Sequence, residues 1–281
     1  MRKRSLAYGL LTVALLTSCT AGSWAFEIMP SSARALGVGG AGAALSGGFG
    51  EVLAQNPALL TASDVGASLF YNNRFAISGF EEQSISFAWR TGKLHWGVLL
   101  LNEAASLAEE NQGSTRENQW QELELGLGLA VQVRKNTNLG LGLWSQRRTI
   151  SVDDDPEGLF ADENTIFASL GLYYDRQKLG FSAVLEDPTG LSQGKLGLRL
   201  GELGRLVALA EVKYEFVEER VNYYAGVETW LAPNFALRAG VDLAGMFTAG
   251  LGLGKGNWKV DYAYKTHPAG NAHYLGTSYG F

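Results

Sequence analysis

Few residues in this sequence have the chemistry for catalysis. His95, His267 and His273 are the only imidazoles, and Cys19 is the only thiol. A hydrolase needs a nucleophile beside a base, or paired carboxylates, at the rim of a cleft. His95 falls beside a tight-turn signal, while His267 and His273 flank the last polar connection, so no Ser-His-Asp arrangement follows. Asp153, Asp154, Asp155 and Glu157 are rich in oxygen ligands but lack the EF-hand spacing, and they read as a solvated loop. Residues 250–256, GLGLGKG, have the glycines of a phosphate loop. Lys255 is followed by Gly256, however, where Ser or Thr is needed, and the segment joins two strand patterns. The residues point away from an enzyme and to no cofactor or metal.

A second group of chemically able side chains is larger. Glu211, Lys213, Glu228, Arg238, Asp242, Lys259, Asp261 and Lys265 occupy the phase opposite the leucines of their segments and carry mixed sign. Neighbouring strands can pair such charges across a shared face. They read as the polar interior of a barrel packed against a plug, with a selective ion path as the alternative.

The elements that must position these charges have period two. In LELGLGLAVQV, Leu123, Leu125, Leu127, Leu129, Val131 and Val133 share one face; Glu124, Gly126, Gly128, Ala130 and Gln132 share the other. Leu206, Ala208, Ala210, Val212, Tyr214 and Phe216 repeat the pattern. Alternation over about ten residues marks a half-buried strand. Dividing the chain at its turn signals predicts fourteen strands: 64–75, 82–90, 93–103, 118–134, 137–151, 164–175, 178–186, 194–202, 205–216, 220–231, 234–243, 246–254, 257–265 and 272–281.

Odd-numbered connections include the polar stretches 104–117, 152–163 and 187–193, whereas every even-numbered one is tight. Short turns at one end and longer loops at the other are the asymmetry of outer-membrane barrels, whose even strand number puts both termini in the periplasm. The expected fold is therefore all-β, an antiparallel transmembrane β-barrel of fourteen strands over 64–281, with a small N-terminal plug over 26–63. Trp89, Trp96 and Trp258 lie near tight turns and Tyr71, Tyr214, Tyr223 and Tyr264 toward the other end, as two interfacial belts require. Leu275, Tyr279 and Phe281 share the outward phase of the last strand, which resembles the signal read by the outer-membrane assembly machinery.

Residues 1–25 have the layout of a secretory leader: basic Arg2, Lys3 and Arg4, an apolar core from Leu6 to Leu16, and a Ser23-Trp24-Ala25 cleavage signal. A lipoprotein box ending at Cys19 is the competing reading. Loss of the leader takes the net charge from −5 to −8, which disfavours nucleic acid as a partner. With 36 glycines and no collagen period, the composition suits strands that alternate glycine with leucine.

Residues 31–63 are small, glycine-rich and non-alternating, with short helical turns expected at 42–46 and 57–61. Arg34, Gly37, Gly39 and Gly40 in SARALGVGGA, followed by Asn56, Pro57 and Ala58, form a pair of motifs. This pair resembles the N-terminal segment of PorV/PorQ-type and FadL-related outer-membrane proteins, as does the C-terminal stretch FALRAGVDLAGMFTAGLGLGKGNWKVDYAYK. The resemblance implies a fourteen-stranded barrel with a hatch-like N-terminus. It implies either an accessory that binds or tethers exported proteins or secretion components, or, as the alternative, a transporter for a hydrophobic small molecule. Outer-membrane lipids are partners in both cases. The short loops leave no room for a lipid-capturing cap, which favours the accessory role.

Overall fold

The structure, a computed structural model, describes residues 32–63, 65–73, 80–111, 114–152, 161–187, 192–242, 245–268 and 270–281. The leader with Cys19, the first residues of the 26–63 segment and the acidic run Asp153 to Glu157 lie outside these residues.

Glycine-leucine alternation builds a wall with two unlike faces. The strands are β1 (Gly66–Asn73), β2 (Phe80–Thr91), β3 (Leu94–Asn111), β4 (Ser114–Arg134), β5 (Thr137–Val152), β6 (Ala161–Arg176), β7 (Leu179–Glu186), β8 (Gln193–Glu202), β9 (Leu206–Glu215), β10 (Arg220–Ala232), β11 (Phe235–Asp242), β12 (Phe247–Lys255), β13 (Trp258–Lys265) and β14 (Ala272–Gly280). Each pairs antiparallel with its sequence neighbours, and β1 pairs β14 from Gly66↔Gly280 to Asn73↔His273, closing the barrel. Closure leaves no edge, so every strand finds its backbone partners within the wall.

Outward leucines stand exposed: Leu123, Leu125, Leu127, Leu139, Leu141 and Leu143 on β4 and β5 are all more than 40% accessible, while Glu122 and Glu124 beside Leu123 are buried inside. Large exposed apolar side chains occur on every strand except β11, whose outward Phe235, Leu237 and Val241 are half-buried. An apolar surface running round the whole molecule far exceeds the patches that water-soluble monomers carry. It suits hydrocarbon.

The tight turns lie together at one end. The beginning of β1 and the last residue meet there, with the Phe281 amide donating to the Val65 carbonyl at 2.9 Å. Outward Trp258 and Tyr279 pack at 4.9 Å, and Tyr279 meets Phe281 at 5.5 Å. Leu275 and Phe281 are exposed on the same outer face.

Two expectations are corrected. Residues 104–111 and 114–117 are strand and not loop, because β3 continues to Asn111 and β4 begins at Ser114, pairing Asn111↔Ser114. The helical turn predicted at 42–46 is a single hydrogen-bonded turn, the Leu45 amide donating to the Gly42 carbonyl at 2.9 Å, and no helix follows from it. Helix instead forms earlier, as α1 (Ala33–Gly37), and as two 3₁₀ helices, Gly50–Ala54 and Pro57–Ala62.

Candidate functional site: the plugged lumen

Local chemistry shapes residues 32–63 into short turns. Ser32 caps α1, its hydroxyl accepting from the Ala35 amide at 3.4 Å. The helix stops because Gly39 and Gly40 take positive φ (77° and 90°), and the Gly40 amide donates back to the Ala35 carbonyl at 3.0 Å. Asn56 caps the second 3₁₀ helix by accepting from the Ala58 amide at 2.9 Å, with Pro57 in the first turn. The Asn56 amide group also donates to the carbonyls of Ala43 (3.3 Å) and Leu172 (3.1 Å), tying the segment to itself and to β6.

This segment fills the barrel interior and buries its apolar side chains against three sectors of wall. Leu53, Ala58, Leu59 and Leu60 pack with Leu99, Trp144 and Tyr173; Ala33 and Leu36 pack with Phe70, Ala263 and Tyr274; Val38 and Leu45 pack with Val207 and Leu209. Backbone approaches backbone where wall glycines face each other across strands. Gly140↔Gly171 receives Asn56-Pro57-Ala58, and a Cβ on Gly140 would lie 2.2 Å from the Ala58 nitrogen. Gly226↔Gly240 receives Val38-Gly39, and a Cβ on Gly226 would lie 2.3 Å from the Val38 carbonyl oxygen. Each glycine pair is a dent in the wall shaped to the segment.

An ionic clasp joins the segment to the wall. Arg34 makes a bidentate pair with Glu228, both bonds 2.8 Å, and its third nitrogen donates to the carbonyls of Ser46 (3.0 Å) and Gly47 (2.7 Å). Glu228 is wholly buried and also accepts from Arg238 (2.8 Å) and the Trp230 indole (3.2 Å). Arg238 reaches Asp261 at 2.6 Å. Fork-to-fork pairing with every carboxylate oxygen occupied makes such burial tolerable, and removal of one partner costly. Nearby Glu51 accepts from the Phe49 amide (3.0 Å) and Ser68 (2.9 Å), and burial pushes its carboxyl above the usual range despite these bonds.

The eight interior charges named from sequence thus fall into separate groups. Glu228, Arg238 and Asp261 join the clasp. Lys265 pairs with Asp242 at 2.9 Å, Lys213 pairs with Glu215 at 2.8 Å, and Glu211 accepts from the Ala43 amide at 2.8 Å. Lys259 lies over the Phe49 ring at 5.2 Å. Interior charge is not confined to the second half of the chain: Glu82, Glu103, Glu122 and Glu124 are buried too. Gln146 donates to both Glu122 and Glu124, and Arg148 to Glu122 at 3.0 Å. Period two already puts Glu124 on the face opposite the leucines.

Above the plug lies a cavity of about 90 Å³. Its apolar side is Leu36, Leu53, Leu99, Leu101, Trp144 and Phe167, and its polar side includes Gln55, Glu124, Glu186 and Lys195. The amide nitrogen of buried Gln55 has no partner among the described residues. Toward the loop end the cavity adjoins a larger one of about 310 Å³ through shared Phe167, Glu186, Gln193 and Lys213. At the tight-turn end are separate cavities of about 190 and 410 Å³, which share no lining residue with it. The plug lies between.

No protein-family model matches the sequence, and no curated protein matches it. Solved structures match in fold. The toluene transporter TbuX of Ralstonia pickettii is 12% identical, with a TM-score of 0.67 covering 90% of this chain and 98% of that one. The toluene transporter TodX of Pseudomonas putida is 10% identical, with a TM-score of 0.67 over 91% and 98%. A Pseudomonas aeruginosa FadL homologue is 12% identical, with a TM-score of 0.65 over 91% and 99%. The fold is therefore the closed fourteen-stranded barrel of FadL-type outer-membrane proteins. At these identities the likeness is one of fold.

Proposed function

We propose that the protein is an outer-membrane channel for small hydrophobic molecules, with its tight turns and both chain ends facing the periplasm and residues 32–63 acting as its plug. One observation carries this reading: a cavity with one apolar wall, Leu36, Leu53, Leu99, Leu101, Trp144 and Phe167, that adjoins a second cavity toward the loop end and is floored by the plug. Two of the structures that share the fold are toluene transporters, and this supports transport over catalysis. A hydrophobic molecule would enter from the loop side, rest against Leu99, Leu101, Trp144 and Phe167, and leave once the plug yields.

A closed, salt-bridged interior favours a second reading. The Arg34–Glu228–Arg238 clasp suits a barrel that conducts nothing and instead tethers exported proteins, as the PorV/PorQ resemblance implies. Native mass spectrometry of the protein gently extracted from its own membrane separates the two. A bound hydrophobic compound of defined mass is expected; a stoichiometric exported protein with an empty cavity would overturn the transport reading.

A further inference from the structure

Charge is distributed unequally between the two ends of the barrel. At the tight-turn end, exposed basic residues occur at every tight turn except Pro233-Asn234. Lys93 lies between β2 and β3, Arg134 and Lys135 between β4 and β5, and Arg176 and Lys178 between β6 and β7. Arg205 lies between β8 and β9, and Lys255 between β12 and β13. Among the described residues of these turns the exposed carboxylate is Glu202, 3.5 Å from Arg205. At the loop end the balance reverses. Asp162, Glu163, Glu218 and Glu219 are exposed there, and Arg147 and Arg220 are engaged with Asp162, Glu215 and Glu218. In a chain of net charge −5, a basic ring at one rim is not a consequence of composition.

Strand phase shows which way the ring faces. Arg176 continues the outward column Leu170-Leu172-Tyr174, and Lys255 continues Leu251-Leu253. These cations therefore cap the lipid-facing columns, one step beyond the apolar surface and level with exposed Trp89 and Trp258. That is headgroup depth, where Lys and Arg stems lie along hydrocarbon and their charges meet phosphate. Arg adds bidentate geometry suited to phosphate. A protein partner would call for a patch on one side, whereas these residues encircle the rim.

We propose that this basic collar binds the phosphate groups of anionic phospholipids in the leaflet at the tight-turn end. The proposal rests on the barrel spanning a membrane but not on what it transports. Full-length protein is reconstituted into nanodiscs of equimolar phosphatidylglycerol and phosphatidylcholine, and the retained lipids are counted by native mass spectrometry. Phosphatidylglycerol should be enriched several-fold over phosphatidylcholine, falling to the bulk ratio in the triple variant R176Q/K178Q/K255Q. The loop-rim variant Arg147→Gln should keep the enrichment. Lipids retained at the bulk ratio by the parent, or enrichment unchanged in the triple variant, would overturn the collar. Failure of the chain to enter any nanodisc would overturn the membrane-spanning reading itself, whereas an empty cavity in an inserted barrel would leave the collar standing.

Discussion

Glu228 shows how much one residue holds together. It is the common acceptor for Arg34, Arg238 and Trp230, so Glu228→Ala takes the shared carboxylate from two guanidinium groups at once, leaving Arg34 with two carbonyls and Arg238 with Asp261. Loss of one partner from a buried pair costs about 3–5 kcal/mol; the urea midpoint of the reconstituted barrel, read by tryptophan fluorescence, should fall accordingly. Asn56→Ala removes a cap worth about 0.5–2 kcal/mol together with the bonds to Ala43 and Leu172, and should expose the plug to protease while leaving the barrel intact. Glu51 gives the plug a pH dependence. Burial raises its carboxyl above the ordinary value, with Asp261 adding repulsion and the Phe49 amide and Ser68 opposing the shift. The plugged state is therefore fully favoured below the undocked value of about 4.3 and loses that stability as pH rises through the raised one. Protease sensitivity of residues 32–63 should increase with pH, and Glu51→Gln should flatten the profile. The motif residues Arg34 and Asn56 were legible as a pair in sequence, but their partners were not. Glu228 is 194 positions from Arg34, and nothing local announces which wall carboxylate a plug arginine will meet.

Elements were the most legible level, because lipid on one side and plug on the other impose period two on every strand. Where that constraint ends, legibility ends with it. The polar run AASLAEENQGSTRE has no alternation and read as a loop, yet β3 and β4 extend through it by pairing with each other. Backbone pairing needs no apolar face once a hairpin rises past the membrane. Helices in the segment ahead of the first strand were only partly legible, since segments this short are set by caps and wall glycines and not by periodicity. Those glycines carry a prediction. Gly140→Leu fills the dent that receives Ala58 and should dislodge the plug, raising single-channel conductance in a planar bilayer about as much as deletion of residues 31–63 does. Unchanged conductance in both would remove the plug from the account. On the outer face, Leu127→Arg puts a cation on the exposed column of β4 and should cost about 2–4 kcal/mol if that column lies near the bilayer midplane. The measurement is the urea midpoint in vesicles, and no loss would contradict lipid contact there.

Taken whole, the molecule is a tube with an apolar skin, a filled interior and opposite charge at its two rims. The skin and strand count define a membrane barrel, and its fold is that of the FadL-type channels. The interior holds a cavity with one apolar wall on the loop side of the plug, a clasp on the other, and no lining residue in common between the cavities above and below. Transport through such a body requires the plug to move, and the clasp sets what must be broken. The most direct measurement is uptake of a labelled monoaromatic solute by Gram-negative cells whose lipopolysaccharide leaflet blocks it. Cells producing the protein should take the solute up several-fold faster than cells without it, and Leu99→Arg, which places a charge in the cavity, should abolish the gain. Uptake no faster than in cells lacking the protein, with the barrel folded in their outer membrane, would contradict the transport function.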